Sequence, residues 1–390
     1  MKRVGVFLGA QKNWGGTFQY NEAILNAVLS LDRNRYEPVV VYLYDDWEAI
    51  VAQGGAETHR FAMGGTGRLF DKVWRQYGVP LNKAPLLWRL FHPVVKGLHS
   101  LDCDLWVFPS VDVFTYQMRT RTLGVILDLM HRYEPEFPEV SENGEYERRE
   151  NHFGPLCQNA TGILVDSELG REQVVESYGV SPAKVHPLPF IPPAGIVGTE
   201  DANGLRERLS LPERFFYYPG QFWEHKNHAR LIRALSLISE SHPDVHLVFS
   251  GFKDRQYQEL VELAHKQDVG KRVHFVGYVE ESDVGKLYRL ADALVMPTFF
   301  GPTNIPPLEA MQAGCPVAVS DIYAAREQLG DAAVYFNPRS VEALGHCLRT
   351  LWDDASLRER LSEAGLKRSS RWTEADLQTR FSEIVASVLQ

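Results

Sequence analysis

At 390 residues, with 44% hydrophobic and 23% charged residues, the chain has a soluble globular make-up and exceeds one ordinary core, so two domains are expected. A formal charge of −9, from 41 basic against 50 acidic residues, argues against a general nucleic-acid binder. Cys103, Cys157, Cys315 and Cys347 have no paired spacing, which argues against a disulfide framework or a zinc site.

The chain enters directly into an apolar strand, Val4-Gly-Val-Phe-Leu8, with no signal-like segment, and no apolar run reaches the ~20 residues of a membrane span. A cytoplasmic protein is expected. Gly9-Ala-Gln-Lys-Asn-Trp-Gly-Gly-Thr17 follows, then a helix with Phe18, Ile24, Leu25, Val28 and Leu29 near one face. Strand, glycine loop and helix make a candidate phosphate or sugar cradle, although the spacing is not that of a dinucleotide fingerprint. Val39–Tyr44 reads as the second strand. The segment from Arg68 to Ser100 differs in character. Arg68, Lys72, Arg75, Lys83, Arg89 and Lys96 alternate with Phe70, Trp74, Tyr77, Trp88 and Phe91, against the single acid Asp71. It suits an anionic membrane surface, or a half-buried helix pair with a solvated basic face.

Asp104–Phe108 and Leu123–Leu127 read as buried strands, and the second runs into Asp128-Leu-Met-His-Arg-Tyr-Glu. Asp128 and His131 are candidate site residues there, and a structural role suits His131 as well. Gly144–Glu150 opens a charged helix whose Arg148 and Arg149 suit an acceptor contact or a solvated face. Gly162–Asp166 is the next strand, with Ser167 as N-cap of a helix through Tyr178. Val185–Pro193 and the polar run to Asn203 form the expected linker.

A second α/β series begins at Phe215–Tyr218. Pro219-Gly-Gln-Phe-Trp-Glu-His-Lys-Asn227 precedes a helix carrying Leu231, Ile232, Leu235 and Ile238, again an anion site in outline. Strands are expected at Val245–Ser250, His274–Gly277, Ala293–Met296, Pro316–Val319 and Ala332–Phe336. Between the third and fourth, Phe299-Phe-Gly-Pro-Thr-Asn304 is a loop. Pro306 and Pro307 sit where a first helical turn tolerates proline, and Gly314 stops the helix. Glu309 lies one turn inside.

The run P-P-L-E-A-M-Q-A-G-C-P-V, from Pro306 to Val317, closely resembles the donor-sugar motif of group 1 glycosyltransferases (family 4, GT-B fold). The resemblance covers nearly the whole chain and is specific around Pro297–Ser320 and Pro219–Asn227. It implies two doubly wound α/β parallel-sheet domains facing a cleft: 1–195 on the acceptor side, with helix 372–390 packing back on it, and 203–371 holding the nucleotide sugar. It implies Gly15-Gly16 near the donor diphosphate, Lys226 on that diphosphate, Tyr278 and Val279 at the nucleobase, N–H groups of Thr303, Asn304 and Ile305 near the phosphates, and Glu309 on the ribose. Three positions depart from the family pattern. Leu127 stands where a histidine precedes Asp128, Gln221 replaces an arginine, and Gly301 replaces the first of two glutamates.

The expected activity is retaining transfer of a sugar from a UDP- or GDP-linked donor, a co-substrate and not a cofactor, to a saccharide or lipid-linked acceptor in cell-surface polysaccharide synthesis. No metal is called for. The Arg68–Lys96 segment would give peripheral contact with the inner membrane face. A nucleotide-sugar epimerase, or a non-catalytic sugar-nucleotide binder, would share this architecture.

Overall fold

The computed structural model describes residues 1–62, 92–193, 196, 203–253 and 256–390. They fall into two compact units. The first comprises Met1–Leu129, Asn143–Pro189 and Glu374–Gln390; the second comprises Met130–Glu142 and Phe190–Thr373.

The first unit is built on a parallel sheet of β1 (Lys2–Leu8), β2 (Tyr36–Tyr42), β3 (Glu57–Arg60), β4 (Leu105–Val107), β5 (Arg121–Val125), β6 (Gly162–Val165) and β7 (Val185–Pro187). Their order is β3-β2-β1-β4-β5-β6-β7. Parallel strands buried on both faces read as continuous apolar runs, which is why β1, β4 and β6 are legible. Close packing of β1 on β4 requires a glycine: a Cβ at Gly5 would lie 2.4 Å from the Trp106 ring. The edge strand β3 has the polar sequence Glu-Thr-His-Arg and gives no apolar signal. At the other edge, β7 ends in Pro187 within the stretch expected to be linker, a position a sheet edge allows.

Helix Glu374–Leu389 packs on helix Gly16–Leu29 and buries Leu377, Phe381, Ile384, Val385 and Val388, the one-sided spacing of an amphipathic helix. Most of the basic, aromatic segment lies outside the described residues. Its end forms helix Pro93–Ser100, which buries Val94, Val95 and Leu98 and leaves Lys96 exposed.

The second unit holds β8 (Phe216–Pro219), β9 (Leu247–Ser250), β10 (Val273–Gly277), β11 (Ala293–Met296), β12 (Val317–Ser320) and β13 (Val334–Phe336). They are parallel, in the order β10-β9-β8-β11-β12-β13. One continuous apolar core runs through this unit, with Phe216, Tyr217, Tyr218, Phe249 and Tyr288 fully buried. Chain order reverses between β8 and β11, and the helices that follow these two strands pack against different neighbours. A switch point of this kind is where ligands of such sheets bind, and a crevice lined by Met296, Thr298, Gly301 and Asn304 lies at the end of β11.

Met130–Glu142 packs on this second unit through aromatic side chains. Phe137 lies 5.0 Å from Phe299 and 5.3 Å from Phe300, ring centre to ring centre. Tyr133 meets Tyr323 edge-on. Tyr323 donates to Glu134 at 2.6 Å, and Arg339 bridges Glu134 and Glu136.

Candidate functional site

The loop after β8 tightens into a turn of 3-10 helix over Glu224–Lys226. Asn227 ends it in the left-handed conformation, φ +65°, which asparagine adopts more readily than other side chains. Its carboxamide is buried. Nδ2 donates to the Pro297 carbonyl at 2.9 Å and the Pro338 carbonyl at 3.0 Å, and Oδ1 accepts from Arg230 at 3.0 Å. The turn that carries Lys226 is therefore fastened to the end of β11. Lys226 itself is half-buried, and its carbonyl accepts from the Tyr218 hydroxyl at 3.1 Å.

His225, just before it, stacks on Phe300 at 3.9 Å and 9°. The carboxylate of Glu139 accepts from the Glu224 N–H at 2.5 Å and lies 3.4 Å from His225 Nδ1. Burial alone would raise the Glu139 pKa, but His225 and the backbone donors outweigh it and hold it below the ordinary value. His228 opens the following helix between Tyr218, Phe222 and Phe249, and burial there pushes its imidazole down to about 3.

The loop after β11 is tied to the first one. Phe299 N–H and Thr298 Oγ1 donate to the His225 carbonyl at 2.8 and 3.4 Å. Gly301 adopts φ +92°, and a Cβ there would lie 2.7 Å from the Thr303 carbonyl oxygen. The family's glutamate cannot occupy this loop conformation. Asn304 is the N-cap of helix Ile305–Gln312, whose first turn includes Pro306 and Pro307. These prolines bring no N–H, and that of Asn304 is taken by Gln328 Oε1 at 3.0 Å. Of the three amides expected near phosphate, Asn304 is thus engaged internally, Thr303 is buried, and the Ile305 N–H begins the helix.

Glu309 is buried one turn further on, where Oε2 accepts from the Tyr288 hydroxyl at 2.8 Å. Burial, with the Glu309 carboxylate beside it, raises the Tyr288 pKa well above its ordinary value, so the phenol stays a donor and orients the carboxylate. Tyr217 packs edge-on against Tyr288 and shares a 2.6 Å hydrogen bond with Ser250.

Along the same sheet, Tyr278 stands exposed after β10 and stacks on exposed Phe252 at 4.7 Å and 15°. Val279 is half-buried beside it. Gln221 is half-buried, and its Oε1 has no hydrogen-bond partner among the described residues. His131 is buried in the short helix Met130–Tyr133.

In the first unit, Gly15 holds φ +56° and Gly16 starts the helix after β1. Asp128 pairs with Arg149 at 2.8 Å, so both charges are satisfied locally; Arg148 pairs with Glu145. The loop after β4 places the Asp112 carboxylate against Gly9, and burial raises its pKa to about 7. Asp112, Tyr288 and Gln328 lie outside the sequence motifs, and Asn227 ends one of them with no sign in the sequence of the bonds its side chain makes. Among the described residues no group of His, Cys, Asp or Glu converges as a metal site, and no helix is long and apolar enough to cross a membrane.

Residues 205–368 match the family model described as glycosyl transferases group 1. The chain is similar to the O-antigen chain mannosyltransferase B of Escherichia coli, 24% identical over 309 residues that span 77% of this chain and 80% of the relative. It is 30% identical over 215 residues to a glycogen synthase of Mycobacterium tuberculosis, covering 55% of this chain and half of that enzyme. The crystal structure of HepE from Anabaena, in complex with UDP and glucose, shares the fold with a TM-score of 0.73 at 15% identity, over 99% of this chain and 100% of that one.

Proposed function

We propose that the chain is a group 1 glycosyltransferase, a reading supported by the match of residues 205–368 and the likeness to a mannosyltransferase, and that it transfers a sugar from a UDP- or GDP-linked donor to a saccharide or lipid-linked acceptor, with retention at the anomeric carbon, in building a cell-surface polysaccharide. The observation that carries this reading is the Asn227 carboxamide. By holding the Lys226 turn to the end of β11, it joins the loops that follow β8 and β11 at the switch point, which supports a shared donor site there.

In this reading Lys226 faces the donor diphosphate and offsets the charge that grows there as the glycosidic bond breaks, with the Ile305 N–H as a second donor. Glu309, oriented by Tyr288, accepts from the ribose hydroxyls. The acceptor oxygen bonds to the anomeric carbon while the carbon–phosphate oxygen bond breaks, and the leaving diphosphate takes the acceptor proton. Exposed Tyr278 offers its ring to the base. The relative named for O-antigen chain synthesis supports the polysaccharide assignment, and the UDP and glucose in the HepE crystals support a nucleotide-sugar donor. The Arg68–Lys96 segment supports, by composition alone, contact with the membrane that holds a lipid-linked acceptor.

Thermal shift with UDP-glucose, UDP-N-acetylglucosamine, GDP-mannose, UDP and GDP tests the donor, because a ligand at 100 times its dissociation constant adds about 2.7 kcal/mol. Anomeric proton couplings of the product then report stereochemistry. No shift with any of the five, or an inverted product, would refute the reading. Sugar interconversion without acceptor would point to an epimerase.

A further inference from the structure

We propose that Gln328 is a positioning residue that aims the Ile305 N–H at the donor, an inference that rests on the reading of the Ile305 helix as the donor-phosphate site. The Gln328 carboxamide grips Asn304 from both sides. Its Oε1 accepts from the Asn304 N–H at 3.0 Å, and its Nε2 donates to the Asn304 carbonyl at 2.8 Å. That carbonyl and the Ile305 N–H belong to the same planar trans peptide and point in opposite directions, so fixing the oxygen fixes the donor. Gln328 lines the crevice beside Thr298, Gly301 and Asn304, with both ends of its carboxamide turned to Asn304. It acts through one peptide plane.

Both ends of the grip are anchored. Arg368 Nε donates to the Gln328 carbonyl at 2.9 Å and Arg368 Nη2 to that of Glu327 at 2.5 Å, while the Tyr335 hydroxyl donates to Gly330 at 2.6 Å. Short helix Ala325–Leu329 is thereby pinned from two directions. On the loop side, Asn304 Nδ2 donates back to the Phe300 carbonyl at 3.2 Å, and Gly301 leaves no room for a side chain. With little slack left in Phe300–Asn304, a change at residue 328 passes to the Ile305 peptide. Among side chains of this length only a carboxamide both accepts and donates in this geometry. A glutamate would do so only when protonated.

The test uses the full chain with Gln328→Met and Gln328→Glu, with UDP-glucose and GDP-mannose as donors and nucleoside diphosphate release as the rate. Gln328→Met should lower kcat about tenfold, the scale of two lost hydrogen bonds. KM should stay near wild type, the melting temperature should fall by only about 2–4 °C because half-buried Gln328 and Asn304 remain open to water, and hydrogen exchange should quicken in peptides covering 300–306. Gln328→Glu should match that loss at pH 8 and recover toward wild type by pH 5.5, as the carboxyl, held above its ordinary pKa by the facing carbonyl, gains a proton. The Met variant should show no such recovery. Faster exchange with kcat unchanged, or equal pH profiles for the two variants, would overturn the proposal and leave the donor reading intact. A wild type that binds neither donor would overturn both.

Discussion

Replacement of Asn227 separates two costs that the structure places in one residue. Asn227→Gly keeps the left-handed backbone at ease but removes both donors from the buried Pro297 and Pro338 carbonyls. Each stranded acceptor costs about 1–3 kcal/mol, and entry of water into the vacated space offsets part of it, so about 3 kcal/mol in total is expected. Asn227→Ala loses the same bonds and adds the left-handed strain of a Cβ, about 1–2 kcal/mol more. For a unit of this size 1 kcal/mol moves the melting temperature by about 2–4 °C, so the glycine variant should melt roughly 6–12 °C lower and the alanine variant a few degrees below that. Calorimetry on the full chain measures both, and donor turnover should fall with them because the Lys226 turn loses its tether. An alanine variant as stable as the glycine variant, or a glycine variant within about 2 °C of wild type, would refute the reasoning.

Lys226→Ala should lower kcat by about 10²–10³ with folding intact, the scale for losing one preorganised charge-stabilising donor; a change under about threefold would remove it from the chemistry. Gly301→Ala and Gly301→Glu should impair transfer alike, since the Cβ they share meets the Thr303 carbonyl, and a gain in rate for the glutamate would show that the backbone is not the obstacle. Asp112→Asn should stabilise the protein. The folded-state pKa of about 7 lies above the unfolded value, so the destabilisation grows as pH rises from 4 to 7 and then stays constant. Allowing for partial exposure, a gain of about 2 kcal/mol is expected at pH 8, vanishing toward pH 4 in thermal melts. If the Arg68–Lys96 segment meets anionic lipid, charge reversal of Arg68, Lys72, Arg75 and Arg89 should abolish sedimentation with phosphatidylglycerol vesicles, and salt should weaken the wild type; equal binding would exclude it.

The two sheets are legible because parallel strands covered on both faces need unbroken apolar runs, as in Ala293–Met296. The Ile305 helix is legible because Pro306, Pro307 and Gly314 mark its ends chemically. The strand Glu57–Arg60 is not, since an edge strand half in water keeps polar residues. The site divides in the same way. Lys226 and Glu309 belong to motifs that sequence displays, whereas the bonds that hold the site together join distant segments: Asn227 reaches Pro338, Gln328 reaches Asn304, and Tyr288 reaches Glu309. A bond between segments has no local periodicity, so nothing in the neighbouring residues announces it. Gly301 shows the limit from the other side. Sequence reveals the missing glutamate, and only the dihedral and the Thr303 oxygen say why one would not fit.

Helix Glu374–Leu389 completes the first unit although it is synthesised after the whole of the second. Until it leaves the ribosome, the apolar face of Gly16–Leu29 waits uncovered while more than three hundred intervening residues emerge. Met130–Glu142 imposes the opposite delay, since it is made before the loops it packs against exist. Neither unit can mature from an uninterrupted stretch of chain, so vectorial synthesis leaves each incomplete for a time and in need of protection from aggregation. Loss of helix Glu374–Leu389 should therefore be read first as a lesion in chaperone dependence and turnover.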